Sequence, residues 1–491
     1  MKTRFAIAAA ALALLPGASM ADSVVTYHNS NQRDGAYAIH DLTLAAAANM
    51  HRDTKFDGTI SGHVYAQPLF WKPKGAKHGL VIVATESNTV YALNANSGKV
   101  VWQTPVLAPP MPLSQLPCGN IDPMGITGTP VIDPASGTLY LNAMTKTGKG
   151  ARHMVYALSL TDGSVLSGWP LNMQALMTGK GATFDSSVHG ERSALLFFKN
   201  KLYVNYGGHF GDCGAYRGTV AQIDPETASV DAVWQTRATG GGIWAQGGIA
   251  GDGANLFITT GNTFGASSWM DGEGIIRLHP GLAHSSDTHD FFTPTNWKDL
   301  DNSDLDLGGT EALPIDIKDS GKAKRVIALG KDGKAYLADR TNLGGIGGQI
   351  QAIQVANGSI RTAPAIYETS TATMLAFTNS GSGHCSGSNV TMLNIAASGS
   401  TPISFAWCAQ YNGSNGGPII TTTDGTADAI VWVPGAEGDN QLHGFNARNG
   451  KVVFSGTGTT MSGLHHYQTI LATDQRLYVA GDNKVFAFAW K

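Results

Sequence analysis

Along most of the chain, short apolar runs of strand length alternate with breaks rich in Gly, Asn, Asp and Ser, without a sustained helical period. The clearest instance is VIVATESNTVYALNANSGKVVW, Val81 to Trp102, which predicts two strands, a tight turn and an outer strand ending in tryptophan. A four-stranded unit of this size cannot bury both faces alone, so it requires similar units stacked against it.

Eight such units can be counted, each opening on a short apolar strand approached through a Gly, Pro or polar step. The openings are YAQPLFW at Tyr65, ITGTPVI at Ile126, RSALLFF at Arg192, WAQGGIA at Trp244, GGTEALPI at Gly308, RTAPAIY at Arg361, NGGPIIT at Asn415 and HHYQTIL at His465. They fall about 50 to 65 residues apart, which is room for four strands and their loops. The expected fold is all-β: an eight-bladed propeller of four-stranded antiparallel blades spanning residues 61–491, with seven blades as the alternative because the fifth unit is irregular. The final stretch, Arg476 to Trp490, supplies inner and middle strands but no outer one. Residues 22–60 contain VVTYHN and KFDGTI, either of which can supply the missing strand and close the ring, removing exposed sheet edges.

Composition agrees with a turn-rich β protein: there are 61 glycines and only 14% charged residues. A formal net charge of -3 without a Lys/Arg cluster offers no docking surface for a phosphate backbone, so nucleic acid is not an expected partner. Residues 1–21 carry Lys2 and Arg4, an apolar run from Phe5 to Leu15, and Ser19, Met20 and Ala21 before the expected cleavage point. They read as a secretory signal, which places the chain in the periplasm or outside the cell, and no later apolar run is long enough to span a membrane. In an oxidising compartment the four cysteines are expected to form two disulfides, Cys385 with Cys408 within one blade and Cys118 with Cys213 between neighbouring blades. Nothing in the sequence calls for more than a monomer.

Ala92, Asn94, Ser97, Gly98 and Trp102 fit the tryptophan-docking pattern A-x-[DN]-x-x-[ST]-G-x-x-x-W, and the repeat resembles that of the pyrroloquinoline-quinone (PQQ) propellers. Gly444, Asn446, Asn449, Gly450 and Phe454 repeat the pattern with Phe for Trp; degraded copies end at Trp169 and Trp234. These aromatics are structural, filling the space between blades. VYAQPL, ITGTPVID, GHFGDCG, GGIWAQGG and GKDGKAYLADR together resemble exported bacterial PQQ-like repeat proteins, a family that implies a fold without a settled activity.

The resemblance to quinoprotein alcohol dehydrogenases also implies site residues. Trp244 in GGGIWAQGG looks like the floor beneath the quinone, and Asn262 in TTGNTFG looks like a calcium ligand. Asp306 in LDLGGT looks like the general base, and Lys331 in GKDGKAYLADRT looks like the cation on the quinone oxygens. Glu191 is the expected carboxylate for metal and cofactor, with Asp212 as its rival, and Arg361 is a further cofactor-binding candidate. The resemblance thus implies oxidation of an alcohol or sugar with PQQ and Ca²⁺. The chain lacks both the vicinal cysteine pair of many such enzymes and a C-x-x-C-H haem motif. Two other readings stay open: a cofactor-free scaffold binding a glycan or envelope protein, and a lyase or other enzyme using Glu191, His209 or His466 at the axial mouth. Asp299, Asp301, Asp304 and Asp306 read as a solvated acidic loop, and His279, His284 and His289 as a surface loop.

Overall fold

The computed structural model describes residues 23–104, 107–317, 323–369, 372–458 and 460–491. The expected secretory signal lies outside them. Eight mainly antiparallel sheets follow one another in chain order, each with a core of four strands, so the ring has eight blades and not seven. Blade 1 comprises Leu69–Trp71, Leu80–Ala84, Val90–Asn94 and Val100–Gln103. In blade 4, Ala250–Gly251, Leu256–Thr260, Gly274–Leu278 and Phe291–Thr293 gain a fifth, parallel strand, Gly345–Ile346, which leaves from blade 5. That excursion accounts for the irregular fifth unit.

Middle strands are buried on both faces because blades stack on each side of them: Val81 to Ala84 and Val90 to Leu93 are all under 8% exposed. Trp102 shows how adjacent blades lock together. Its Nε1 donates to the Leu160 carbonyl of blade 2 at 3.0 Å, and its ring occupies the space a Cβ on Gly163 would need. Trp407 docks in the same way on blade 7, donating to the Ala447 carbonyl at 2.7 Å over Gly450. Trp102→Ala is therefore expected to cost about 3–5 kcal/mol, read as a lower midpoint in urea unfolding, since it opens a cavity and orphans a buried carbonyl.

Ring closure differs in detail from expectation. The outer strand of blade 8 is His51–Arg52, paired antiparallel with Phe488 and Ala489, between the two segments proposed for it. KFDGTI supports that closure: Thr59 bridges Lys484, Asp57 and Gly58 donate to Ser97 and Gly98 of blade 1, and Phe56 packs beside Gly98. VVTYHN instead enters the axis. From Val24 to Ile39 the chain crosses the channel, bonding to Phe70, Ile132, Leu195, Gly251, Ile366 and Thr422 of six different blades. Ala36–Ala38 also runs parallel to the innermost strand of blade 7. The axis is thus plugged by Tyr27, His28 and Arg33, all fully or nearly fully buried.

Both expected disulfides are present, Cys118–Cys213 and Cys385–Cys408. No helix among the described residues is long and apolar enough to cross a membrane.

Candidate active site

In every blade the approach to the innermost strand and the turn after the second strand reach the same mouth of the ring. Trp244 lies on the approach to Ala250–Gly251, Asn262 follows Leu256–Thr260, and Lys331 follows Ala323–Leu329. Asp306 sits between the helix Trp297–Ser303 and the innermost strand of blade 5, Leu313–Ile317.

These four residues meet. Asp306 is 2% exposed, and both its oxygens are engaged. Oδ1 accepts from the backbone N of Asn262 at 2.8 Å, while Oδ2 accepts from Trp244 Nε1 at 3.1 Å and faces Lys331 Nζ at 2.6 Å. Lys331 also reaches Asp304 Oδ1 at 2.7 Å, and its ammonium stands 5.1 Å from the centroid of the Trp244 ring. Burial would lower the Lys331 pKa, but Asp306 and Asp304 outweigh it and hold the ammonium above the ordinary lysine range.

Three groups complete the site, and only one of them was a sequence candidate. Asp212, hydrogen-bonded by Tyr216 Oη at 2.7 Å, lies in the field of Asp306, Asp304 and Lys331. Burial foremost, and the two aspartates after it, raise its pKa. It adopts a left-handed backbone beside Cys213, so the Cys118–Cys213 disulfide anchors the turn that carries it. Arg192 places its guanidinium 5.9 Å from the Trp244 ring centroid, a second cation at the indole. Glu273 lies behind Asp306, accepting from the Leu307 N at 2.6 Å; burial and the Asp306 charge raise its pKa strongly. Its carboxyl group secures the backbone beside Asp306.

Glu191 and Arg361 are not brought to this group by any contact among the described residues. Glu191 is 5% exposed, turned toward Gly128 of blade 2, and accepts from Asn142 at 3.3 Å; burial raises its pKa strongly. Arg361 lies partly buried on the approach to the innermost strand of blade 6, where its Nε has no partner. His209 is buried with both ring nitrogens unpaired and pushed down to about 4, chiefly by burial. His466 pairs with Glu437 at 2.6 Å, and both His466 and His209 lie in the field of Arg192.

The acidic loop is only partly solvated: Asp304 and Asp306 hold Lys331, and Asp301 accepts from Thr263 N and Oγ1. His279, His284 and His289 have separate partners in Asn255 and Asp290, the Arg277 carbonyl, and Asp287. A cavity of about 820 Å³ lies away from all this chemistry. It is lined by Asp34 and Tyr37 of the plug and by Ile315, Tyr367, Thr422 and Thr473, at the opposite ends of the innermost strands from Trp244.

The comparisons with known proteins agree with the architecture. The family profile described as "Outer membrane protein assembly factor BamB" matches residues 55–166. The quinohemoprotein alcohol dehydrogenase from Comamonas testosteroni superposes with a TM-score of 0.67 at 16% identity, over 96% of this chain and 81% of that one. The quinohemoprotein alcohol dehydrogenase ADHIIG from Pseudomonas putida HK5 gives 0.66 at 13% identity, over 96% and 80%. A europium-containing methanol dehydrogenase gives 0.61 at 15%, over 94% and 89%. No curated protein matches the sequence. At such low identities the shared property is the fold alone. The chain is an eight-bladed β-propeller, and the family profile matches one part of it, residues 55–166.

Proposed function

We propose that the chain is an exported quinoprotein dehydrogenase that binds PQQ and a divalent cation at the Trp244 mouth and oxidises an alcohol or sugar. The observation that carries this reading is the convergence of Trp244, Asn262 and Lys331 on the Asp306 carboxylate. The site suits such a cofactor: a flat indole accompanied by two cations matches a flat, multiply anionic ring system. The Asn262 amide oxygen, with Asp212 in preference to the sequestered Glu191, offers hard oxygen donors for Ca²⁺.

When bound, PQQ supplies an electrophilic quinone carbon able to accept hydride. The chain's own residues do the rest. The Trp244 Nε1 bond to Asp306 fixes the rotation of the indole, making it a preformed floor. Lys331 is shared between Asp304 and Asp306, so it can turn its charge toward a quinone oxygen while Asp304 keeps hold of it. With Lys331 so turned, Asp306 Oδ2 would keep the Trp244 Nε1 bond and have a lone pair left to take the hydroxyl proton of the substrate.

A second reading, a cofactor-free scaffold for a glycan or envelope protein, draws on Phe210 and Phe264. They are 61% and 39% exposed beside Asp212 and Tyr216. Titration of the purified chain with PQQ and Ca²⁺, followed by quinone absorbance and dye reduction with alcohols and sugars, separates the two. The dehydrogenase reading expects saturable binding that Trp244→Ala and Lys331→Ala each weaken at least ~10-fold, about 1.4 kcal/mol. Absence of binding at micromolar PQQ favours the scaffold.

A further inference from the structure

Across the ring from blades 4 and 5, the equivalent positions of blades 8 and 1 carry a different set of side chains. His465 lies on the approach to the innermost strand of blade 8, as Trp244 does in blade 4, and Asp482 follows Leu477–Gly481, as Asn262 follows Leu256–Thr260. His63 joins them from the approach to blade 1. His465 Nε2 lies 2.7 Å and His63 Nδ1 2.9 Å from the same atom, Asp482 Oδ1, and the three ligand atoms all fall within 4.8 Å of one another.

We propose that His63, His465 and Asp482 form a binding site for a divalent transition-metal ion of the Zn²⁺, Mn²⁺, Fe²⁺ or Co²⁺ class, separate from the Trp244 site. Three observations support it. First, His63 Nδ1 is shielded from water and faces Asp482 Oδ1 at 2.9 Å without hydrogen-bond geometry, a contact that a bridging cation would satisfy. Second, the separations suit a shared ion. Donors about 2.0–2.2 Å from a metal stand about 2.9 Å apart at right angles and about 3.3 Å apart in a tetrahedron, so 2.7 and 2.9 Å correspond to neighbouring corners of an octahedron. Two imidazoles and one carboxylate leave coordination positions open for water or substrate and suit transition ions better than Ca²⁺ or Mg²⁺.

Third, the ligands are held in place by their backbones. Gly62 N donates to Asn483 Oδ1 at 2.8 Å, Asn483 N returns a bond to the Gly62 carbonyl at 3.0 Å, and Asp482 N donates to the Gly463 carbonyl at 3.1 Å. At Gly463, with φ at +67°, a Cβ would come within 2.4 Å of Asp482, so only glycine lets that turn approach so closely. Tyr65 stacks on the His465 ring at 4.4 Å, fixing its orientation. The His63 side chain remains 45% exposed, which gives an ion a route in.

The test is titration of the chelator-treated full chain with Co²⁺, read by visible absorption and by metal content after dialysis. One equivalent is expected to bind at micromolar concentration or tighter. His63→Ala and Asp482→Asn are each expected to weaken it by more than the about 10- to 100-fold that loss of a mere supporting partner costs. Asn262→Ala, which alters the other site, is expected to leave Co²⁺ binding unchanged. Circular dichroism and melting curves establish that the variants are folded, and the wild-type titration stands without them. No saturable binding up to millimolar Co²⁺, or wild-type affinity in His63→Ala, overturns the proposal.

Discussion

Asp306→Asn is expected to lower kcat for any alcohol or sugar substrate by about 10²–10⁴-fold, the range a positioned proton acceptor contributes. The effect rests on the dehydrogenase reading and separates two roles of one residue. As an anchor, Asp306 accepts from Asn262 N on Oδ1 and from Trp244 Nε1 on Oδ2, and the single amide oxygen of asparagine can keep one of these two bonds. As a base, it needs a negatively charged, basic carboxylate oxygen, which the neutral amide of asparagine does not supply. PQQ affinity should therefore change much less than turnover, while Trp244→Ala should show the reverse emphasis. Lys331 keeps Asp304 as its partner in the variant, so the cation remains in place. A variant with near-wild-type kcat excludes Asp306 as the proton acceptor. A variant that loses PQQ binding and turnover together assigns it to positioning alone.

Much of this arrangement can be read from local patterns, and what cannot has identifiable causes. Blade count follows from eight similar strand approaches, because each blade needs the same apolar face and the same tight turn. Trp244, Asn262 and Lys331 are recognisable because the repeat fixes where each approach and each turn must lie. Arg192 and Asp212 were harder. Arg192 has no local signal, and its relation to Trp244 exists only once blades 3 and 4 stand side by side. Glu191 and Asp212 are both acidic residues of the third blade, and burial against Gly128 as opposed to a place in the field of Lys331 tells them apart. Ring closure through His51–Arg52 escaped for another reason: a strand of two residues has no periodicity to read.

The least legible residue is Arg33, whose partners are backbone carbonyls 162 and 216 positions away. Its replacement is expected to have a large effect on stability: Arg33→Ala should cost about 3–5 kcal/mol, the range for disrupting a buried charged network. Fully buried in the axis, Arg33 donates from Nε to Ile249 O at 3.0 Å and from Nη2 to Leu195 O at 3.0 Å. Its Nη1 donates to Thr26 Oγ1 and Tyr27 O. One side chain thereby ties the plug to blades 3 and 4, and losing it orphans several carbonyls where water has little access. Arg33→Met, which restores most of the volume, should recover only the cavity part of the loss.

The loss should also depend on pH. Burial pushes the Glu311 carboxyl up to about 7, with Arg33 pulling it down, although the two make no direct ion pair. A group raised on folding gives its full stability below its unfolded pKa, and that contribution is lost as pH rises through the folded value. Without Arg33 the folded value rises further, so the variant loses additional stability above about pH 7. Near pH 4, where Glu311 is largely protonated in the folded chain of both proteins, the difference shrinks to the lost hydrogen bonds and the cavity. Urea unfolding of both proteins at pH 5 and pH 8 checks this, with the larger gap expected at pH 8; an equal gap at both would mean that Arg33 holds the plug through its carbonyl bonds alone.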